Sequence, residues 1–262
     1  EADYRKLASH FAAHRSWPAV WQALKKNAPI DPARAWETLA KTGTRLLLPD
    51  DAQFPDRLRE MPWPPHGLYV RGADLGKEPA IAVVGTRRAS ATGLKIARRL
   101  SRELAAAGVT IISGRALGID AAAHEGALEA GGKTTAVIGC GIDKIYPRQH
   151  EGLAKRILAS GGSMVCEYPP GSPALPYRFI ERNRIVSALA LGVLIIEVPE
   201  KSGALSTVRF ALDQNRDVFV VPGAIDNPNY TGSHELIKSG AALVTASTDI
   251  LSAIGIERSA HA

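Results

Sequence analysis

Cysteine and methionine are scarce in this chain, with 2 of each in 262 residues. Cys140 and Cys166 each close an apolar run, form no C-x-x-C pair and have no His or Asp cluster beside them. That excludes a disulfide framework and a zinc site. It predicts two buried free thiols in a reducing, cytoplasmic compartment, with no metal and no cofactor. No apolar run approaches the roughly 20 residues that span a bilayer, and no signal or transit pattern opens the chain, so no membrane partner is expected. The start at Glu1, without an initiator Met, reads as a trimmed end. Several catalytic signatures are also missing: a Walker A Gly-Lys-Ser/Thr, a serine nucleophile elbow in Ser-Asp-His order and the H-x-E…C-x-x-C of nucleobase deaminases. No enzyme is expected.

The bulk composition is that of a globular protein, 45% hydrophobic and 22% charged, long enough for one large domain plus a small one. The net charge is +6. Residues 1–45 hold 8 Lys and Arg against 4 Asp and Glu, and the remainder holds 24 against 22. Phosphate binding in the larger part must therefore come from local placement of charge.

Residues 1–45 show helical spacing in Tyr4, Leu7 and Phe11, in Trp17, Val20, Trp21 and Leu24, and in Trp36 and Leu39. Asp31-Pro32 supplies an N-cap and a first-turn Pro. A small all-helical domain of about three helices is expected, its Trp residues forming a core in preference to stacking bases. Residues 46–75 form a Pro-rich connection with extended pieces at Arg45–Leu48 and Gly67–Arg71. From residue 79 onward, β-rich apolar runs (Ala80–Gly85, Val109–Ser113, Thr134–Gly139, Met164–Glu167, Val193–Val198, Val218–Val221) alternate with helical patterns. Runs apolar on both faces between helices predict a doubly wound, mainly parallel α/β sheet of Rossmann-like type over 46–256, followed by a tail at 257–262.

Ligands of such a sheet bind at the carboxyl ends of the strands. Gly85-Thr86-Arg87 follows the first run, where Gly85 allows a tight turn, the helix start favours an anion and Arg87 adds a fixed charge. Ser113-Gly114-Arg115 ends the second run where a dinucleotide enzyme would carry Asp or Glu, which argues against NAD. Asp120 reads as a helix-start residue before a catalytic acid, and His124 and His234 read as structural. Lys144 and Tyr146 share one loop, either as a phosphate-and-base contact or as a surface Lys beside a packed Tyr. Arg178, Arg182, Asn183 and Arg184 form a phosphate-contact candidate or, with Glu181, a salt-bridged face. Lys201, Ser202 and Gly203 open another anion-ready helix. Several small or basic loops at one sheet edge describe a groove for an extended phosphate chain better than a pocket for one small molecule.

Six stretches in order, Val84–Arg87, Ser113–His124, Gly139–Pro147, Arg182–Ile185, Ser202–Thr207 and Val221–Gly223, together with Leu68-Tyr69-Val70-Arg71-Gly72 upstream, resemble the bacterial DNA-processing protein A (DprA/Smf) family. The resemblance implies an extended Rossmann-like domain that binds single-stranded DNA, works as a homodimer and promotes loading of the RecA recombinase in natural transformation. It implies that Arg87 holds phosphate and that Lys144, Arg184 and Lys201 line the same groove. It also likens residues 1–45 to a sterile-alpha-motif-like domain, and implies that the winged-helix domain carried by many members is absent or removed. Two departures stand out. Arg115 occupies a position where the family usually has an apolar residue, so it adds a phosphate contact or packs locally. Gly232-Ser233-His234-Glu235-Leu236-Ile237 replaces a Gly-(Ser/Cys/Thr)-Asn-x-Leu-Ile pattern near the expected dimer contact. The rival is a nucleoside-monophosphate phosphoribohydrolase of the lysine-decarboxylase-like kind. Its Pro-Gly-Gly-x-Gly-Thr-x-x-Glu stretch is Ser202–Arg209 here and lacks the acid.

Overall fold

The computed structural model describes residues 32–76 and 78–256. The chain separates into two compact units, residues 1–42 and 43–262. In the first, helix α1 (Pro32–Lys41) opens on its proline, exposes Trp36 and buries Leu39. The other helical expectations, over 1–31, lie outside the described residues, as does the tail 257–262.

The second unit is built on a nine-stranded sheet. In chain order it runs β1 (Thr44–Leu47), α2 (Asp56–Arg59), β2 (Leu68–Gly72), β3 (Ala80–Val84), α3 (Ala91–Ala106), β4 (Thr110–Ser113), α4 (Ile119–Glu129), β5 (Thr134–Val137), α5 (Glu151–Ala159), β6 (Ser163–Cys166), α6 (Pro176–Ala188), β7 (Gly192–Ile195), α7 (Ala204–Asp213), β8 (Asp217–Val220), α8 (Thr231–Lys238), β9 (Ala242–Leu243) and α9 (Ser247–Ala253). The spatial order is β1-β2-β6-β5-β4-β3-β7-β8-β9. β1 and β2 pair antiparallel with each other, and β2 pairs antiparallel with β6. The other pairs, such as β3 with β4 and β7, are parallel.

The alternation of side chains along a strand explains why the runs are apolar throughout. Ala80, Ala82 and Val84 of β3 enter one core layer with Ile185, Val193 and Val208. Ile81 and Val83, between them, enter the opposite layer with Leu100, Leu104, Ile119 and Ala123 of α3 and α4. Each fully buried aliphatic side chain contributes about 1.5–3 kcal/mol. Cys140 and Cys166 are buried free thiols in a third cluster beside Ile157 and Met164, as expected. β9 and α9 were not foreseen. A two-residue strand is too short to show a period in sequence.

Candidate nucleic-acid interface

From β3 the chain moves outward through β4, β5 and β6, then returns to lay β7 on the other side of β3. The connections after β3 and β7 therefore diverge, and a crevice opens between them. A cleft of about 740 Å³ lies there. One wall is Gly85–Arg88 after β3 and the other is Lys201–Ala204 after β7, with Tyr146 and one face of α6 closing the side.

Of the helices that start at this cleft, α3 and α7 differ in what meets their first turns. At α3, Ser90 caps the helix by accepting from the Gly93 amide at 3.0 Å. The buried Glu197 carboxylate then accepts from the Ser90 amide at 2.9 Å and, through its other oxygen, from Asn229 Nδ2 at 2.9 Å. The anion-favouring end expected after Gly85 is already occupied by the protein's own carboxylate. At α7, no acid lies in the first turn and no side chain caps Gly203. Space above Gly203 is open and Lys201 is exposed beside it. This start faces the cleft unoccupied by protein charge.

The floor carries Arg182, which is 4% exposed and donates through Nη1 to the Val137 carbonyl at 2.5 Å. Burial lowers its pKa to about 10, partly offset by the carboxylate of Asp120. Asp120, at the start of α4, accepts from the Ala116 amide at 3.2 Å, and burial raises its pKa against the opposing pull of Arg182 and Arg87. Above them the Arg87 guanidinium stands over the Phe179 ring at 5.7 Å, and Phe179 packs against Tyr146 with centroids 5.2 Å apart. Arg87 and Lys201 make no ion pair among the described residues. Cations with an aromatic pair between them suit a chain of phosphates and bases.

Of the residues singled out in the sequence, Gly85, Thr86, Arg87, Tyr146, Asn183, Lys201, Ser202 and Gly203 all line this cleft. Asn183 also ties α6 to α7 by donating to Ser206 Oγ at 2.9 Å. Gly85 serves packing: a Cβ there would meet Ile119 of α4. Four other singled-out residues do not line the cleft. Ser113 is buried, and its hydroxyl donates to the Val83 carbonyl at 2.7 Å, so it joins β4 to β3. Gly114 leaves room for the Arg182 guanidinium and lies outside the cleft wall. Arg115 is 0% exposed, with φ +57 and its Nη2 donating to the Tyr146 carbonyl at 3.2 Å, so it packs behind Tyr146 and does not line the cleft. Lys144 is half-exposed beside Asp143 at 3.8 Å and does not line the cleft.

Arg184 does not line the cleft either. Its Nη2 reaches Glu167 at 2.5 Å and its Nε donates to the Trp63 carbonyl at 3.2 Å. At 100° per residue, positions 182 and 184 point to nearly opposite sides of a helix. Phe179, Arg182 and Asn183, spaced i, i+3, i+4, share the cleft-facing stripe. Phe179 was missed as a site residue, although helical phasing from Pro176 was enough to group it with Arg182 and Asn183, and Arg182 was named only among the arginines of that stretch. Glu197 and Asn229 were also missed, because their pairing crosses 32 residues of chain and leaves no local pattern.

His124 is structural. Thr134 donates its hydroxyl to the Ile111 carbonyl at 2.7 Å, so it accepts from His124 Nδ1 at 2.6 Å. Burial, with Arg115, His150 and Arg182 nearby, lowers the His124 pKa to about 3. His234 accepts no catalytic partner either; its Nε2 donates to the Gly223 carbonyl at 3.1 Å.

The family model described as DNA recombination-mediator protein A matches residues 45–255. The chain belongs to this family. Protein Smf from Escherichia coli is 45% identical over 207 residues, which are 78% of this chain and 55% of that protein. The chain thus spans little more than half the length of that relative. The X-ray structure of DNA processing protein A from Streptococcus pneumoniae superposes with a TM-score of 0.79 at 38% identity, covering 90% of this chain and 81% of that one. DNA processing protein A from Helicobacter pylori, solved to describe its single-stranded DNA binding mode, gives a TM-score of 0.70 at 30% identity, covering 80% and 95%. The mainly parallel sheet described above is shared with these solved structures. No helix among the described residues is long and apolar enough to cross a membrane.

Proposed function

We propose that the switch-point cleft binds single-stranded DNA and that the chain acts as a recombination mediator without enzymatic activity. It protects incoming single strands and promotes RecA loading in natural transformation. Two protomers, as a homodimer, would hold one strand through two clefts and gain affinity by effective concentration. The observation that carries the reading is the pairing, across one cleft, of Arg87 over the Phe179–Tyr146 pair with Lys201 at the open start of α7. Charge takes phosphate and the rings offer stacking faces with little sequence preference. The single-stranded DNA binding mode of the Helicobacter pylori relative supports the same assignment here. The hydrolase alternative is disfavoured because Asp120 is the one carboxylate lining the cleft among the described residues. That carboxylate is bonded to Ala116 and faces Arg182, which suits a charge partner better than a general base.

The test is fluorescence anisotropy of labelled oligo-dT across a salt series, with wild type and Arg87→Ala. Binding that weakens with salt and falls sharply in the variant is expected. Absence of wild-type binding at low salt would overturn the assignment, and release of free base from nucleoside monophosphates would revive the hydrolase.

A further inference from the structure

A small chamber of about 50 Å³ adjoins the cleft and shares Arg87, Tyr146, Phe179 and Arg182 with its wall, while Gly114 and Arg115 line the chamber alone. We propose that this chamber receives a terminal phosphomonoester of the bound strand, a dianion, in preference to an internal phosphodiester. The proposal rests on the DNA reading of the cleft and adds recognition of a strand end to it.

Size is the first argument. Pockets that enclose drug-sized ligands run to about 300–1,000 Å³, so this chamber holds one phosphoryl group and no base or sugar. Charge is the second. Arg87, Arg115 and Arg182 converge on the chamber. Among the described residues, Asp120 is the one carboxylate acting on Arg182, and none acts on Arg115. The cluster therefore holds a surplus of two positive charges, part of it buried without compensation, which is unfavourable. An internal phosphodiester offers one negative charge, whereas a phosphomonoester carries about −1.5 to −2 near neutral pH. Unmet bonding capacity is the third argument. Nε of Arg182 is buried without an acceptor among the described residues. Arg115 lies behind Tyr146 and acts by its charge, as a positioning residue, while Arg87 and Arg182 are placed to contact the anion.

The experiment compares oligo-dT carrying a 5′-phosphate, a 3′-phosphate or only hydroxyl ends, by anisotropy, with wild type and Arg115→Leu. An apolar residue in place of an uncompensated buried charge is compatible with folding. In wild type, one phosphorylated end should bind roughly tenfold tighter than hydroxyl ends, the worth of one charge-assisted hydrogen bond. In Arg115→Leu the preference for the phosphorylated end should fall by a larger factor than the affinity for hydroxyl-ended oligo-dT. Equal affinity of all three oligonucleotides for wild type overturns the proposal without touching the DNA reading; no binding of any of them overturns the DNA reading itself. Inorganic phosphate that raises the melting temperature of wild type, without any preference among the oligonucleotides, assigns the chamber to a free anion and overturns the strand-end assignment. The wild-type comparison decides even where Arg115→Leu fails to fold.

Discussion

The Arg182 guanidinium occupies the space that a side chain at position 114 would need. Gly114 is thus the condition for placing a buried arginine under the cleft, where its Nη1 holds the Val137 carbonyl and its charge faces Asp120. Gly114→Ala should displace that guanidinium and destabilise the fold by about 1–3 kcal/mol, the cost of a lost buried hydrogen bond to a charged group. Thermal melts report the loss, and oligo-dT affinity should fall with it.

Phe179→Leu and Lys201→Ala should weaken DNA binding in different ways. The first removes a stacking face and the ring under Arg87 but no charge, so affinity falls while the salt slope holds. The second removes one phosphate contact, so the slope of log K against log salt should drop by about 0.7. An anisotropy salt series on both variants separates the two effects.

Arg184→Ala should cost stability but not cleft affinity. Its partner Glu167 is largely buried with it, and removing the arginine leaves that carboxylate without compensation. A lowered denaturation midpoint with unchanged binding of a short oligo-dT is the expected result. A loss of affinity to match that of Arg87→Ala would show that α6 presents a different face to the strand.

His124 sets an acid limit. Its folded pKa is lowered to about 3 from an ordinary 6.5. Between those values the unfolded chain holds the extra proton, so its stabilising effect is complete above about pH 6.5 and is lost as pH falls toward 3. The slope is about 1.4 kcal/mol per pH unit. His124→Gln keeps a donor toward Thr134 without a titrating ring, so chemical denaturation between pH 4.5 and 7 should show a flatter dependence than wild type.

Glu197→Ala should leave the Ser90 amide and the Asn229 side chain without their acceptor, at about 1–3 kcal/mol. It also opens the start of α3 to an outside anion, which oligo-dT binding at low salt can detect.

The sequence alone determined the strands β3 to β8 and the order of their strand-end loops, because apolar runs are local patterns, as the match of Ala80–Val84 to the run at Ala80–Gly85 shows. It also placed Arg87, Tyr146, Asn183 and Lys201 together, since the carboxyl ends of parallel strands share one edge. Only the tertiary structure decided which charges face the cleft. Ser113 ends β4 and Arg115 follows it in the loop, and other elements cover both, while Lys144 lies off the cleft on its own loop. Arg184 lost its place to Arg182 because a helix has two faces, and the packing of α6 against the cleft chose between them. Glu197 closed the start of α3 from 107 residues away. Burial and long-range pairing are sums over distant chain segments, and no window of sequence contains them.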